Sequence, residues 1–221
     1  MSLTKNRFYC STPRMKKVHG PHNIDVYSLL FGSLLGDSYA EKRSGSTRII
    51  LQQEDSNAAY LFWFHQFLAQ RGYCSEKKPK LQKRVGHKAR REFYLRVRTY
   101  SFASFNWIHE AFYPDQEQKV VPKDLCWILL TPLALAVWIM DDGGVCGAGL
   151  KISTHYFQEE EVFFLCEVLN QKYNLYARPN RARHQFVIYI PKAGMPQLGH
   201  LVSKYLFKPS MHRKLNGYYF V

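Results

Sequence analysis

The chain has 221 residues, which is enough for one compact domain or for two domains of about a hundred residues each. With 46% hydrophobic and 15% aromatic residues, it is too rich in core-forming side chains to be a disordered tail. Its 31 lysines and arginines against 17 acidic residues give a net charge of +14, which points to a polyanionic partner, either nucleic acid or an anionic membrane surface.

The positive charge is concentrated in two blocks. Residues 71–98 and residues 172–221 each carry a net charge of +9, whereas residues 99–171 carry −7 and residues 1–70 carry +3. A uniformly basic surface that only keeps a protein soluble would not show two basic blocks on either side of an acidic middle.

Three classes of protein are disfavoured by local patterns. The longest apolar stretch, residues 125–140, is interrupted by Pro132 and is shorter than the roughly 20 residues of a membrane span, so it predicts a buried helix and no membrane partner. The 5 cysteines form no CxxC pair, which argues against a disulfide scaffold and a cysteine zinc site and favours a reducing compartment.

Residues 1–24 form a basic N-terminal arm with five basic residues and no acid. Serines and threonines are interspersed, and the apolar centre of a secretory signal is missing. The composition is that of a transit peptide or of a flexible basic arm, and it leaves these two alternatives open.

The first predicted group of elements runs from Asp25 to residue 112. It begins with a buried helix over 26–36 that ends at Asp37, followed by a strand over 46–54. The next helix is capped by Asp55 or Ser56, and its apolar positions are Leu61, Phe64, Phe67 and Leu68. Two basic strands, over roughly 73–85 and 90–99, are joined around Gly86, and a helix near 101–112 completes the group.

Alternation within two of these strands predicts which side chains face the core. The inward positions are Ile49, Leu51 and Gln53 in the first strand and Phe93, Leu95 and Val97 in the other. The outward positions are Arg48, Ile50 and Gln52 in the first and Tyr94, Arg96 and Arg98 in the other.

The same order of elements recurs in the second part of the chain. It contains an apolar helix over 132–140, a strand near 148–155, a helix over 158–172, strands near 175–183 and 184–191, and a helix near 195–206. Local sequence agrees with a duplication, since residues 68–71 (LAQR) parallel 169–172 (LNQK) and residues 93–97 parallel 186–190. The prediction is an α+β fold of two αββαββα halves, residues 25–118 and 119–221.

Each half opens with an apolar helix that ends in an aspartate, Asp37 in the first and Asp142 in the second. If the two helices pack together, with Gly32 and Gly36 allowing close approach, both carboxylates meet at one end. Two carboxylates between basic surfaces repel each other unless divalent cations neutralise them. Carboxylate and phosphate oxygens suit Mg²⁺, and two such ions can flank a scissile phosphate.

The segments Leu30–Ser38 (LFGSLLGDS) and Leu135–Gly143 (LAVWIMDDG) resemble the LAGLIDADG motif of homing endonucleases, and the likeness is closest to the single-chain, monomeric branch with two motifs. The resemblance covers essentially residues 25–217. It implies a saddle with the motif helices packed at its centre, a metal-dependent double-strand cut in a long DNA site, and intron mobility in an organelle, the mitochondrion or alternatively the chloroplast. Val137 departs from the small residue that the motif usually has.

The resemblance also implies roles for individual residues. The implied catalytic residues are Asp37, Asp142, Lys119, Lys214 and Gln52, with Ser153 as the counterpart of Gln52. The implied ligands of two or three divalent ions, Mg²⁺ with Mn²⁺ as a substitute, are Asp37, Asp142 and the carbonyls of Gly36 and Asp141. The two lysines are expected to polarise water or to offset charge in the transition state.

Outward positions on the basic strands and their turns are expected to read double-stranded DNA, because arginine and glutamine match the edges of guanine and adenine in the major groove. In the first half these are Arg48, Gln52, Lys77, Gln82, Arg84, Tyr94, Arg96 and Arg98. In the second half they are Lys151, Arg178, Asn180, Arg181, Arg183 and Gln185.

A site-specific DNA endonuclease is the leading hypothesis. The alternative is an RNA maturase that assists splicing of its own intron, with that intron RNA as an added partner. A catalytically inactive DNA-binding regulator is a third hypothesis, and it predicts the loss of an aspartate that the sequence retains.

Overall fold

The computed structural model describes residues 22–85, 91–115, 118–206 and 211–220. Nearly all of the basic arm, and Gly86 between the two basic strands, lie outside these ranges. The regular elements of the first half are α1 (Ile24–Leu35), β1 (Tyr39–Arg43), β2 (Ser46–Glu54), α2 (Ala58–Gln70), β3 (Gln82–Val85), β4 (Arg91–Arg98) and α3 (Asn106–Phe112).

A linking helix, α4 (Lys123–Leu129), precedes the second half. The second half then contains α5 (Pro132–Asp142), β5 (Gly143–Cys146), β6 (Gly149–Ile152), α6 (Glu159–Tyr173), β7 (Arg178–Ala182), β8 (Gln185–Ile190) and α7 (Met195–Val202). Short 3₁₀ turns lie beside several of these helices, and one of them, Arg213–Leu215, holds Lys214.

The two halves repeat one topology. Each contains a four-stranded antiparallel sheet, with strand order β1-β2-β4-β3 in the first and β5-β6-β8-β7 in the second. Helices α2 and α6 pack against one face of their sheets, and α1 and α5 pack against each other. The predicted α+β fold of two αββαββα halves forming a saddle, with the motif helices at its centre, is confirmed.

The two central helices are in close contact because the first has glycine where they cross. A Cβ on Gly32 would lie 2.2 Å from the carbonyl oxygen of Ala134, and a Cβ on Gly36 would lie 2.6 Å from the side-chain atoms Cβ and Oδ2 of Asp141. Val137, which departs from the small residue of the motif, is fully buried. Both helices are almost entirely inaccessible to solvent, which explains their apolar composition.

Several predicted elements need correction. The apolar stretch over 125–140 is two helices, because Pro132 begins a new one, and α4 and α5 meet at a bend of 112°. Within the described ranges, no single helix is long and apolar enough to cross a membrane, and only this bent pair reaches that length and composition when its two helices are taken together. Residues 73–81 are not a strand, and β1 and β5 were not predicted as separate strands.

Smaller corrections concern single side chains. Phe93 is 41% exposed and does not face the core. Neither Asp55 nor Ser56 caps α2, because both belong to a 3₁₀ turn before it and Asn57 is the N-cap. In the first sheet, Gln53 pairs with Leu95. In the second sheet, Thr154 occupies the position equivalent to Gln53 and lies beside Phe186. The counterpart of Phe186 is therefore Leu95, and not Phe93 as the sequence parallel predicts. A slip of two residues preserves strand alternation, which is why the sequence did not reveal it.

Candidate active site

The ends of α1 and α5 bring three aspartates together. Asp37 follows the last turn of α1, and Asp141 and Asp142 end α5. The backbone N–H of Asp37 donates to Oδ2 of Asp141 at 3.4 Å, so the two helix ends are in direct contact. The side chain of Asp141 occupies the space that a side chain at Gly36 would need.

Gln53, not Gln52, is the glutamine beside the aspartates. Its Nε2 donates to Oδ2 of Asp37 at 2.6 Å and to Oδ1 of Asp141 at 3.3 Å. The side chain of Gln52 projects from the other face of β2, where its Oε1 accepts from the guanidinium of Arg96 at 2.6 and 3.0 Å. Gln52 does line the pocket beside Asp37, but the contact with the aspartates is made by the next residue, Gln53. Strand alternation, which puts Gln53 on the same face as Ile49 and Leu51, is the signal that could have found it.

The two lysines bind the carbonyl groups at the helix ends. Lys119 Nζ donates to the carbonyl oxygens of Leu34, Gly36 and Ser38 at 2.9, 2.8 and 3.2 Å. Lys214 Nζ donates in the same way to Ile139, Met140 and Asp141 at 3.0, 2.5 and 3.3 Å. An ammonium group has three N–H donors, so each lysine can use all of them on carbonyls at or just beyond the end of a motif helix.

Burial alters the ionisation of this cluster. Burial, together with the charge of Asp37, raises the pKa of Asp142 to about 7, although Lys119 and Lys214 oppose the increase. Burial also raises the pKa of Asp141 well above its ordinary value, and the charges of Asp37 and Asp142 add to this effect. Burial lowers the pKa of both lysines, and the neighbouring aspartates limit that decrease.

Tyr60 lies under the same cluster and was not singled out by the sequence. Its side chain is 1% exposed, and its hydroxyl lies near the carboxylate of Asp141 without forming a hydrogen bond of good geometry among the residues that the structure describes. Burial raises its pKa well above the ordinary value, and the charge of Asp141 contributes to the increase. A pocket of about 830 Å³ opens beside Asp37, and Gln53 and Asn57 are among the residues that line it.

The donor chemistry of the site fits a hard divalent cation in part. Asp37 and Asp142 supply carboxylate oxygens, the ligands that Mg²⁺ prefers. The carbonyls of Gly36 and Asp141 already accept from the two lysines, although each carbonyl oxygen has a second lone pair. Across the described part of the chain, no three His, Cys, Asp or Glu side chains surround a common point, so water and a phosphate would have to complete the coordination shell.

Most of the predicted DNA-reading residues share one face of their sheet. In the first sheet, the strand register puts Gln52 opposite Arg96, Ile50 opposite Arg98 and Gln82 opposite Tyr94, all on the face away from α2. The predicted DNA-reading residues on this face are Arg48, Gln52, Gln82, Arg84, Tyr94, Arg96 and Arg98, and Glu41 and Glu54 share the face with them. Lys77 is a correction, because it lies in the segment between α2 and β3 and not on a strand.

The second sheet has a smaller polar face. Lys151, Arg178, Asn180 and Gln185 lie on the face away from α6. Arg181 is a correction, because it pairs with Phe186 on the opposite face of the sheet. Arg183 lies in the turn between β7 and β8, with a φ of 58°, and therefore not on either face of the sheet. Contact of any of these residues with DNA remains a prediction.

Comparison with known proteins agrees with this architecture. The family model of the LAGLIDADG DNA endonuclease family matches residues 27–198. A solved structure, the homing endonuclease I-WcaI bound to its DNA recognition sequence, superposes with a TM-score of 0.81 at 27% identity and covers 91% of this chain and 90% of that one.

Among the relatives that match this chain, some are named maturases and others intron-encoded endonucleases. The cytochrome b mRNA maturase bI2 of Saccharomyces cerevisiae is 43% identical over 209 residues, which are 90% of this chain and 49% of that protein. The maturase bI2 of Debaryomyces hansenii is 38% identical over 202 residues, 90% of this chain and 76% of that protein. The intron-encoded endonuclease ai4 of Dictyostelium discoideum is 36% identical over 156 residues, 68% of this chain and 97% of that protein.

The chain thus spans about half the length of the Saccharomyces relative and most of the length of the other two. The family model covers both motif helices and all eight strands of the two sheets. The chain belongs to the LAGLIDADG DNA endonuclease family.

Proposed function

We propose that the chain is a single-chain, two-motif homing endonuclease that cuts both strands of a long DNA site with the help of divalent metal ions. The observation that carries this proposal is the meeting of Asp37, Asp141 and Asp142 at the adjoining ends of α1 and α5, between two sheets with basic outer faces. The halves 25–118 and 119–221 would each supply one sheet, so one chain suffices and a monomer is expected.

The proposed roles follow from the contacts. Asp37 and Asp142 would hold Mg²⁺, which when bound activates water and stabilises the leaving oxygen of the phosphodiester. Lys119 and Lys214 fix the helix ends that carry these aspartates, since each ammonium group binds three carbonyls there. To polarise a water molecule, a lysine would have to give up its hydrogen bond to one of these carbonyls and donate to the water instead. Gln53 binds Asp37 and leaves the second carboxylate oxygen of Asp37 for the metal.

The test is cleavage of a DNA library that spans candidate intron insertion sites, with Mg²⁺, with Mn²⁺ and with a chelator. Wild-type protein is expected to cut in the presence of either metal, and Asp37→Asn combined with Asp142→Asn is expected to abolish cutting. Asp124→Asn, at an exposed position of α4, serves as the matched control and should cut normally. Cleavage that persists in the double aspartate variant would contradict the proposal.

A second candidate function is supported by the names of two relatives. Both maturases bI2 match 90% of this chain, at 43% and 38% identity, so a role in splicing the intron that encodes the chain is the alternative. A splicing assay with that intron RNA tests it, and the double aspartate variant should remain active there because splicing help needs no DNA cut. The names, which refer to cytochrome b mRNA and to introns, also favour the proposed mitochondrial location over the chloroplast.

A further inference from the structure

A chain of side-chain amides connects the start of α2 to the aspartates. Asn57 Nδ2 donates to Oε1 of Gln53 at 3.0 Å, and Gln53 Nε2 donates in turn to Oδ2 of Asp37 at 2.6 Å and to Oδ1 of Asp141 at 3.3 Å. Gln53 is buried, with 6% of its surface exposed, so water cannot easily replace these partners.

The direction of these hydrogen bonds is fixed at the end where the aspartates lie. An ionised carboxylate can only accept, so the amide of Gln53 must present its nitrogen to Asp37. A reversed amide would place two oxygens 2.6 Å apart. With the nitrogen so placed, the oxygen of Gln53 faces Asn57, and only a donor at position 57 is compatible with it.

Among the described residues of the second half, no equivalent arrangement is present. The strand register makes Thr154 the counterpart of Gln53, and its hydroxyl donates to the carbonyl oxygen of Phe186 at 2.7 Å instead of to an aspartate. Gln158 is the N-cap of α6, as Asn57 is of α2, but it forms a capping box with Glu161. The Gln53 amide therefore binds Asp37 of the first motif, whereas neither Thr154 nor Gln158 has a hydrogen bond to Asp142 in the described part of the chain.

We propose that Asn57 is a positioning residue that holds the Gln53 amide with its nitrogen toward Asp37 and so fixes the Asp37 carboxylate, and that Asn57 thereby makes the two halves cut the two DNA strands at unequal rates. The part of this proposal that concerns strand cutting rests on the proposed function, whereas the orientation of the amide does not.

The orientation can be tested on the metal-free protein by NMR of the Gln53 side-chain amide, identified by its loss in Gln53→Glu. Asn57→Asp has nearly the same shape as the natural residue but only accepts, so its carboxylate repels the amide oxygen of Gln53 and is expected to push the amide away from Asp37 and to shift this resonance strongly. Asn57→Ala removes the donor without repulsion and should shift it less. An unchanged Gln53 resonance in Asn57→Asp would overturn the proposal, whether or not the protein cuts DNA.

The consequence for cutting can be tested with a supercoiled plasmid that carries the target and with each strand end-labelled. Asn57→Asp is expected to slow one strand about tenfold more than the other, as loss of an outer partner of a metal ligand commonly does, and nicked circles should accumulate. Asn57→Ala should have a smaller effect. Equal slowing of both strands, or a larger effect of alanine than of aspartate, would indicate a structural role only and would contradict the proposal.

Asn106→Asp is the matched control. Asn106 lies in the same half, and its amide also bridges two elements, since it accepts from Thr47 at 3.0 Å and donates to the carbonyl oxygen of Gly45 at 2.9 Å. The same substitution there should leave the ratio of the two strand rates unchanged, even if it lowers the stability of the protein. A change in that ratio would contradict the assignment to Asn57.

Discussion

Positions 36 and 141 are equivalent in the two motifs, yet one is glycine and the other aspartate. Because Gly36 has no side chain, the carboxylate of Asp141 can turn into the gap between the helix ends and reach Gln53 and the backbone of Asp37. Two identical aspartates at these positions could not both occupy that gap. The pseudo-twofold symmetry of the fold is therefore broken at the point where the chemistry is proposed.

The raised pKa of Asp142, about 7 instead of 3.8, makes the stability of the metal-free protein depend on pH. A carboxyl group whose pKa is raised by folding stabilises the folded state at low pH, and this contribution is lost as the pH rises through the folded pKa. Asp142→Asn cannot ionise, so its gain in Tm over wild type in EDTA should be several degrees larger at pH 8 than at pH 5.5. One pKa unit is about 1.4 kcal/mol, and each kcal/mol corresponds to roughly 2–4 °C in a chain of this size.

Thermal unfolding followed by circular dichroism provides this measurement. Asp124→Asn, at an exposed site on α4, is the control and should show no gain that depends on pH. Addition of Mg²⁺ should reduce the advantage of Asp142→Asn at pH 8, because a bound cation stabilises the ionised carboxylate. A gain that is equal at both pH values would show that Asp142 is not buried against other carboxylates.

At the scale of elements, the crossing of α1 and α5 depends on Gly32. A Cβ there would lie 2.2 Å from a backbone oxygen of Ala134, which cannot move aside as a flexible side chain can. Gly32→Ala is expected to lower the free energy of unfolding by about 1–3 kcal/mol, the range for overpacked cores, although alanine has the higher helix propensity. Urea unfolding monitored by tryptophan fluorescence measures the change.

Gly144→Ala is the control for this substitution. The nearest atom to a Cβ on Gly144 is Cε of Lys151 at 3.9 Å, an ordinary van der Waals distance, so the change should be small. If Gly32→Ala proved as stable as Gly144→Ala, the two central helices could not be packed as closely as the structure places them.

The sequence predicts elements better than it predicts contacts between them. Alternation locates β2 and β4, and helical periodicity locates α6, because each buries one side and exposes another. Continuous apolar runs locate α1 and α5, which are buried on nearly all sides. The neighbours of Asp37 come from β2 and from the end of α5, 16 and 104 residues further along the chain, and no local pattern reports such a distance. Gln53 was placed on the buried face correctly, but its partner there is a carboxylate and not the apolar core.

The lysines illustrate the same limit. Their positions after α3 and near the C-terminus were identified by resemblance, whereas the contacts of Lys119 with the carbonyls of α1 and of Lys214 with those of α5 depend on the packing of distant segments. Exposed basic residues on strands were easier to assign, since alternation fixes their face. Arg181 was misplaced because its arginine neighbours on the same hairpin hide the alternation.

At the scale of the whole molecule, the two blocks of +9 contain the strands β3–β4 and β7–β8, and the segment of −7 contains α5 and its two aspartates. Basic residues on the outer face of each sheet therefore lie on both sides of an acidic centre. A duplex laid across both sheets would bring its phosphates to the arginines and a scissile bond to the aspartates. Such a complex should depend strongly on salt.

If the two sheets together neutralise about 8 phosphates, a plot of log K for DNA binding against log salt concentration should have a slope of about −7. Arg98→Ala in the first sheet and Arg178→Ala in the second should each make the slope shallower by about 1. Lys123→Ala, on α4 against α6, should leave it unchanged. Fluorescence anisotropy in Ca²⁺ between 50 and 300 mM KCl, roughly the range over which such complexes weaken measurably, gives the slope. A wild-type slope of about −2 would mean that only one small patch touches DNA, and the saddle would then not be the binding surface.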